Sequence, residues 1–277
     1  MNRPVYVVAP SFILRDGGTV VLHRLAHLLH ESGFDVSLVP THFRGPLNEY
    51  KCGFSGVPVV SPNDAAPKGV VIYPEIVGGN PLGCEFVVRW LLNRPGVIGG
   101  DVKFSEDEHF FIYSTNHYAA DEEFLNYPLL AISWLRRDVF YPMNSDRALN
   151  VVGWFHKGSK YHPAEVVPDN LFLLDNLSDM QRAVMLNLSK MLISYDPHSF
   201  MTLQAIMCGC MPIIVPKPGV TAEEYFSTAP IKSGVAYGFE DLERAQETFP
   251  KAQLELEAYE QVRQKTYEDF AKFLSSL

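Results

Sequence analysis

Apolar residues along this chain gather into short runs, each stopped by a proline or a polar loop and separated from the next by helical spacing. Val5 to Ala9 is such a run, ended by Pro10, and reads as a buried parallel strand. Val20, Val21, Leu25, Leu28 and Leu29 then recur at helical intervals up to Gly33, which predicts a helix. Asp35 to Val39 and Gly69 to Tyr73 are further strands, the second halted by Pro74. Between them, His42 to Asn63 is rich in glycine and proline and reads as loop with one weak strand at Val57 to Val60. Phe86, Val87, Trp90 and Leu91 mark a helix that Asn93 to Gly96 terminates. Phe110 to Tyr113 and Leu129 to Ile132 are strands, with a short helix from Ala119 to Asn126 between them.

Periodicity is lost from Pro142 to Ala148, a candidate linker, and the pattern then starts afresh. Leu149 to Val152 and Leu171 to Leu174 read as strands, and Ser178 caps a helix with Met180, Val184, Leu186 and Leu188 on its apolar face. Met191 to Val215 is a β-α-β unit. Its first strand ends at Tyr195-Asp196-Pro197, Ser199 caps a helix carrying Phe200, Leu203, Ile206 and Met207, Gly209 closes it, and Ile213 to Val215 is the second strand. Gly234 to Tyr237 is a last strand, Phe239 to Thr248 a helix, and Pro250 starts a final helix through Leu254, Leu256, Tyr259, Val262, Tyr267, Phe270, Phe273 and Leu274. The expectation is an α/β chain of two successive domains, 1–142 and 143–250, followed by a C-terminal helical segment at 251–277.

With 277 residues, 47% hydrophobic and 20% charged, the chain can bury a real core. A net charge of −9 speaks against general affinity for nucleic acid or anionic lipid, which would be repelled; transient membrane contact stays open. Cys52, Cys84, Cys208 and Cys210 have no zinc-like spacing and read as reduced, mostly packed thiols. No apolar run approaches the ~18 residues of a membrane span and no leader pattern opens the sequence, so a cytoplasmic protein is expected.

Polar residues collect where strands end, the side on which open α/β sheets bind ligands. Gly17 and Gly18 precede a helix, whose N-terminus suits a phosphate or a sugar hydroxyl; the pair can equally be only a tight turn. Glu75 follows the strand ending at Tyr73, and His117 the strand ending at Tyr113. Gly153-Trp154-Phe155-His156-Lys157-Gly158-Ser159-Lys160 follows the first strand of the second domain. Trp154 and Phe155 can stack on a base or sugar or belong to the core. His198 and His117 each carry two readings, a proton acceptor or a packed imidazole.

Two stretches resemble a known family. Gly17-Gly18-Thr19-Val20-Val21-Leu22 resembles the glycine pair opening the N-terminal domain of GT-B glycosyltransferases, especially the retaining group with a Glu-x7-Glu signature (group 1, family 4-like). Asp196 and Gln204, followed by Ala205-Ile206-Met207-Cys208-Gly209-Cys210-Met211-Pro212, resemble the C-terminal signature of the same proteins. Asp196 stands for the first Glu and Gln204 for the second, which accepts bonds from the nucleotide ribose. A glutamine oxygen still accepts, without charge assistance.

The resemblance implies two Rossmann-like domains facing across a cleft and sugar transfer from a nucleotide-sugar donor to a glycan acceptor. It implies no metal and no cofactor. Lys157 and Lys160 would neutralise the diphosphate, or are solvated loop charges. Ser199, Thr202 and the N-terminus of their helix would hold the phosphates from the other side, with Gly17, Gly18, Gly153 and Gln204 completing the donor site. Asp196 faces the donor sugar or caps the helix behind it. Glu75 and His117 would act as base if the enzyme inverts. Two alternatives stand beside this: a nucleotide-sugar epimerase, and a non-catalytic nucleotide- or sugar-binding module.

Overall fold

Five runs of the first half pair as parallel strands: β1 (Val5–Ala9), β2 (Val36–Pro40), β3 (Val70–Pro74), β4 (Phe86–Leu91) and β5 (His109–Ile112). The structure, a computed structural model, describes residues 3–42, 44–115, 122–143 and 146–277. The strand order is β2-β1-β3-β4-β5. Every side chain of β1 and β3 is buried, as central parallel strands covered on both faces require. One face packs against α1 (Gly17–Glu31) through Val21, Leu22, Leu25 and Leu29. The other lies under loop residues, among them Val60, Ala65, Ile76 and Leu82. A single turn, α2 (Glu122–Leu125), falls within the predicted 119–126 helix.

The second sheet contains β6 (Leu149–Trp154), β7 (Ser189–Ser194), β8 (Met211–Ile214) and β9 (Ala236–Tyr237), parallel and in that spatial order. Its helices are α3 (Asp179–Leu188), α4 (Phe200–Met207), α5 (Ala222–Thr228) and α6 (Leu242–Thr248). Ser178 and Gln181 form a capping box on α3, satisfying two of its free terminal donors. Gly209, at φ +72°, closes α4: its N–H reaches the Ile206 carbonyl at 2.8 Å, and Cys210 N–H reaches Ala205 at 2.8 Å. The last helix, α7 (Ala252–Ser276), serves both cores, with Ala252 and Leu256 in the second and Tyr267, Phe270 and Leu274 in the first. The compact units are accordingly Met1–Trp134 with Val262–Leu277, and Leu135–Gln261. Among the described residues no helix is long and apolar enough to cross a membrane.

Several sequence expectations are corrected. The helix expected from Phe86, Val87, Trp90 and Leu91 is instead β4, because six consecutive residues with adjacent Val87 and Val88 fill the slot between β3 and β5. The strands expected at Val57–Val60, Leu129–Ile132 and Leu171–Leu174 reduce to single bridges, Leu38 to Val59, Ile112 to Leu129 and Gly153 to Leu173. The apolar face assigned to α3 is right at Leu186, which is buried, and wrong at two other positions. Met180 and Val184 are exposed, while Arg182, Ala183, Leu186 and Asn187 are buried, since the two polar side chains satisfy neighbouring carbonyls. Gly17 and Gly18 form the first turn of α1 rather than a loop before it.

Three of the four thiols are packed, and Cys52 is exposed. Burial pushes Cys208 and Cys210 up to about 12, so neither is a thiolate at neutral pH.

A buried histidine links the end of β1 to the following loops. His23 Nδ1 accepts Gly53 N–H at 3.2 Å, which leaves Nε2–H to donate to the Pro10 carbonyl at 2.9 Å, beside the Tyr50 hydroxyl at 3.2 Å. Burial lowers its pKa below the ordinary 6.5, with the Pro10 bond opposing. Protonation is therefore easier in the unfolded chain. The stability His23 contributes is present in full above the unfolded value and is lost as pH falls toward the folded one. Hydrogen exchange of the α1 amides, corrected for intrinsic rate, should show protection falling from pH 7.5 to pH 5; constant protection would remove His23 as the cause.

Candidate functional site

In both sheets the strand order reverses at one point, and ligands of such folds bind outside the carboxyl ends of the strands there. In the first sheet this lies between β1 and β3. In the second, Gly153 pairs on one side with Leu173 and β6 pairs on the other with β7, so the reversal lies between β6 and β7. The residues that follow these four strands are the candidates.

In the second unit the geometry converges. Trp154, the last residue of β6, donates its indole N–H to Ser199 Oγ at 3.0 Å, and Ser199 Oγ accepts Met201 N–H at 3.2 Å as N-cap of α4. Two strand-end loops are thereby tied together. Gly158 strengthens the junction, because a Cβ there would lie 2.6 Å from Tyr195 Cβ. Lys157 and Lys160 are exposed on the 3-10 turn His156–Lys160. Thr202, in the first turn of α4, is 6% exposed and its hydroxyl has no hydrogen-bond partner. Gln204, two residues further along α4 and therefore on another face of the helix, is half-buried.

Asp196 is buried, and its carboxylate accepts His198 N–H at 3.4 Å. Ser199 is the cap of α4, so Asp196 does not fill that role. Two imidazoles feel its charge. His156 and His198 are both lowered below 6.5 by desolvation, with Asp196 opposing in each case and Lys217 adding to the lowering of His198. Both are therefore largely neutral at pH 7.

The other expected residues sit differently. Gly153 lies inside β6, where Leu171 and Leu173 cover its Cα, so its bareness serves packing. In the first unit Asp16 caps α1, accepting Gly18 N–H at 2.9 Å and Thr19 N–H at 3.3 Å. An acidic side chain thus takes the N–H groups that a phosphate at Gly17-Gly18 would need. Glu75 is 2% exposed and accepts Leu92 N–H at 2.9 Å. Burial raises its pKa, and it serves the backbone of the next strand end rather than reaching solvent as a base. His117 lies outside the described residues.

Asp175, Arg182 and Lys217 escaped the sequence reading, and His156 entered it only as part of its loop, without a role. Lys217 follows β8, its N–H donates to the Tyr237 hydroxyl at 3.0 Å, and its ammonium lies 4.9 Å from the Tyr161 ring centroid. Its strand-end position in Pro216-Lys217-Pro218-Gly219 was the available signal. Asp175 and Arg182 carried no signal, since their roles depend on which backbone groups the fold brings to them.

Two parallel α/β units with a closing C-terminal helix define the GT-B class of fold. No protein-family model matches the sequence, and no curated protein matches it. The fold is similar to that of the DNA-modifying enzyme beta-glucosyltransferase, with a TM-score of 0.54 and 8% identity, covering 99% of this chain and 100% of that one. A second solved structure, beta-glucosyltransferase of T4 phage, gives 0.51 and 8% identity over 99% of each chain.

Proposed function

We propose that this chain is a glycosyltransferase that moves a sugar from a nucleotide-sugar donor to a hydroxyl of a glycan acceptor. The observation that carries the reading is the junction of the β6 and β7 loops through Trp154 and Ser199, which sets the N-terminus of α4 and the unpartnered Thr202 hydroxyl beside a lysine-bearing turn. A helix N-terminus and nearby ammonium groups suit a diphosphate. In this reading Lys157, Lys160 and Lys217 neutralise it, no metal ion is required, and Gln204 accepts from the ribose. Similarity to solved glycosyltransferases of the GT-B class supports the fold on which the reading stands.

The reaction breaks the bond from the anomeric carbon to the diphosphate and forms one to the acceptor oxygen. The departing diphosphate gains a negative charge as the sugar acquires oxocarbenium character, so cationic groups placed on it lower the barrier. Asp196 faces the donor sugar in this scheme, and its charge acts on His156 and His198. The beta-glucosyltransferase of similar fold modifies DNA, whereas this chain carries a net charge of −9, which favours an uncharged glycan over a polyanion. The uncharged Gln204, in place of the second Glu of the signature, favours as second reading a binding module without turnover; measurable donor hydrolysis would exclude it.

Thermal unfolding with UDP, GDP, TDP, ADP and CMP tests the proposal. One nucleotide at 100 times its dissociation constant should stabilise the chain by about 2.7 kcal/mol, and a flat response to all five would end this reading. Lys157→Ala should abolish most of that stabilisation, while an unchanged shift would remove Lys157 from the phosphate site.

A further inference from the structure

The chain leaves β6 through a right-handed residue, Phe155 at φ −98°, and a left-handed one, His156 at φ +36°. Two successive N–H groups in that order point to one side and form a small anion-binding concavity. The anion belongs to the protein. Asp175 Oδ2 accepts Phe155 N–H at 3.1 Å, and Oδ1 accepts His156 N–H. A histidine at positive φ is strained by its Cβ and persists only where its surroundings impose it. The carboxylate bridging both N–H groups is that imposition.

Asp175 is itself held. Arg182 donates from Nη2 to the Asp175 carbonyl at 3.0 Å and from Nε to the Leu174 carbonyl at 3.2 Å. The same guanidinium lies 4.7 Å from the centroid of the Trp154 ring, whose N–H reaches the cap of α4. One buried arginine thus fixes both Asp175 and the tryptophan that ties the two strand-end loops. Lys157 and Lys160 leave the sheet in a direction set by the Phe155-His156 bend.

We propose that Asp175 is a positioning residue of the donor site, holding the His156–Lys160 turn in its strained shape so that the turn's lysines meet the donor's phosphates. The proposal rests on the glycosyltransferase reading for the identity of the ligand, and on the nest alone for the hold on the turn. Without the charge, one N–H loses its acceptor and His156 relaxes to negative φ.

Amide hydrogen exchange and UDP or GDP titration of the full chain, wild type and Asp175→Asn, test it. In the wild type the Phe155 and His156 amides should exchange at least tenfold slower than unprotected amides, although the turn is exposed. In Asp175→Asn the amide left without an acceptor should lose that protection, the amides of β7 and β8 should stay protected, and nucleotide dissociation constants should rise at least tenfold. Unprotected Phe155 and His156 amides in the wild type would overturn the proposal without any variant. So would an Asn variant whose affinity stays within twofold of wild type. A weakened affinity with unchanged amides would make Asp175 a direct ligand contact and overturn the positioning role. Wild type that binds neither nucleotide refutes the donor assignment, and the exchange rates then report on the turn alone.

Discussion

Arg89→Met is expected to destabilise the first unit by about 3–5 kcal/mol, the cost of stranding a buried charge. Arg89 lies in the middle of β4 with no exposed surface, and its side chain forms a pair with Glu108, itself nearly buried. Nε and Nη2 reach the two carboxylate oxygens at 2.7 and 2.9 Å, Nη2 also reaches the Gly79 carbonyl at 2.8 Å, and Nη1 reaches Val77. The rings of Tyr73 and Phe104 lie 5.0 and 4.6 Å from the guanidinium, so the cation is enclosed by π-faces as well. Methionine retains the volume but leaves Glu108 and two carbonyls without donors. The double variant Arg89→Met, Glu108→Leu should recover most of the loss, because the stranded partner has gone with it. Urea unfolding of the three proteins measures this. A single-variant loss below about 1 kcal/mol would mean that water replaces the guanidinium and that the pair is not sealed.

Asp196→Asn is expected to leave nucleotide binding intact and to lower turnover about 10²–10⁴-fold, the range that positioned acid, base and charge effects supply. Asparagine keeps the shape and the oxygen that accepts His198 N–H, so the strand end should hold its form. Only the charge beside His156 and His198 disappears, and with it the influence that raises both imidazoles against the desolvation that lowers them. Turnover is read as sugar transfer or, without an acceptor, as slow donor hydrolysis. A rate within threefold of wild type, with the nucleotide shift preserved, would leave Asp196 a structural carboxylate. Loss of the shift itself would point to a disturbed strand end instead.

Much of the architecture was legible in the order of apolar runs. β1, β3 and β8 are short, apolar throughout and followed by proline or polar loops, and β7 has the apolar core Met191–Ile193, a combination that buried parallel strands satisfy. Ser178, Ser199 and Gly209 marked helix ends because capping is local, between residues a few positions apart. β4 was misread because 86, 87, 90 and 91 fit a helical stripe as well as a strand, and only its neighbours β3 and β5 settle the matter. The α3 face was misread for a related reason. Arg182 and Asn187 look like solvent-facing residues until the carbonyls of Leu174, Asp175 and Tyr141 are brought against them.

The candidate site divides along the same line. Lys157, Lys160, Ser199, Thr202 and Asp196 could be named from sequence because a polar side chain just past a buried strand has few other places to lie. Glu75, Gly153 and Gly17-Gly18 satisfied the same rule, yet the structure gives Glu75 to the Leu92 amide, Gly153 to Leu171 and Leu173, and the α1 N-terminus to Asp16.

The sequence by itself determined that this is an α/β protein of successive parallel strands, where those strands stop, and which helices begin behind them. These are properties of local periodicity, proline and capping. Only the tertiary structure decided which strand-end groups are free to meet a ligand. That depends on long-range partners such as Arg182 on Asp175 and Trp154 on Ser199, whose separation along the chain leaves no periodic trace.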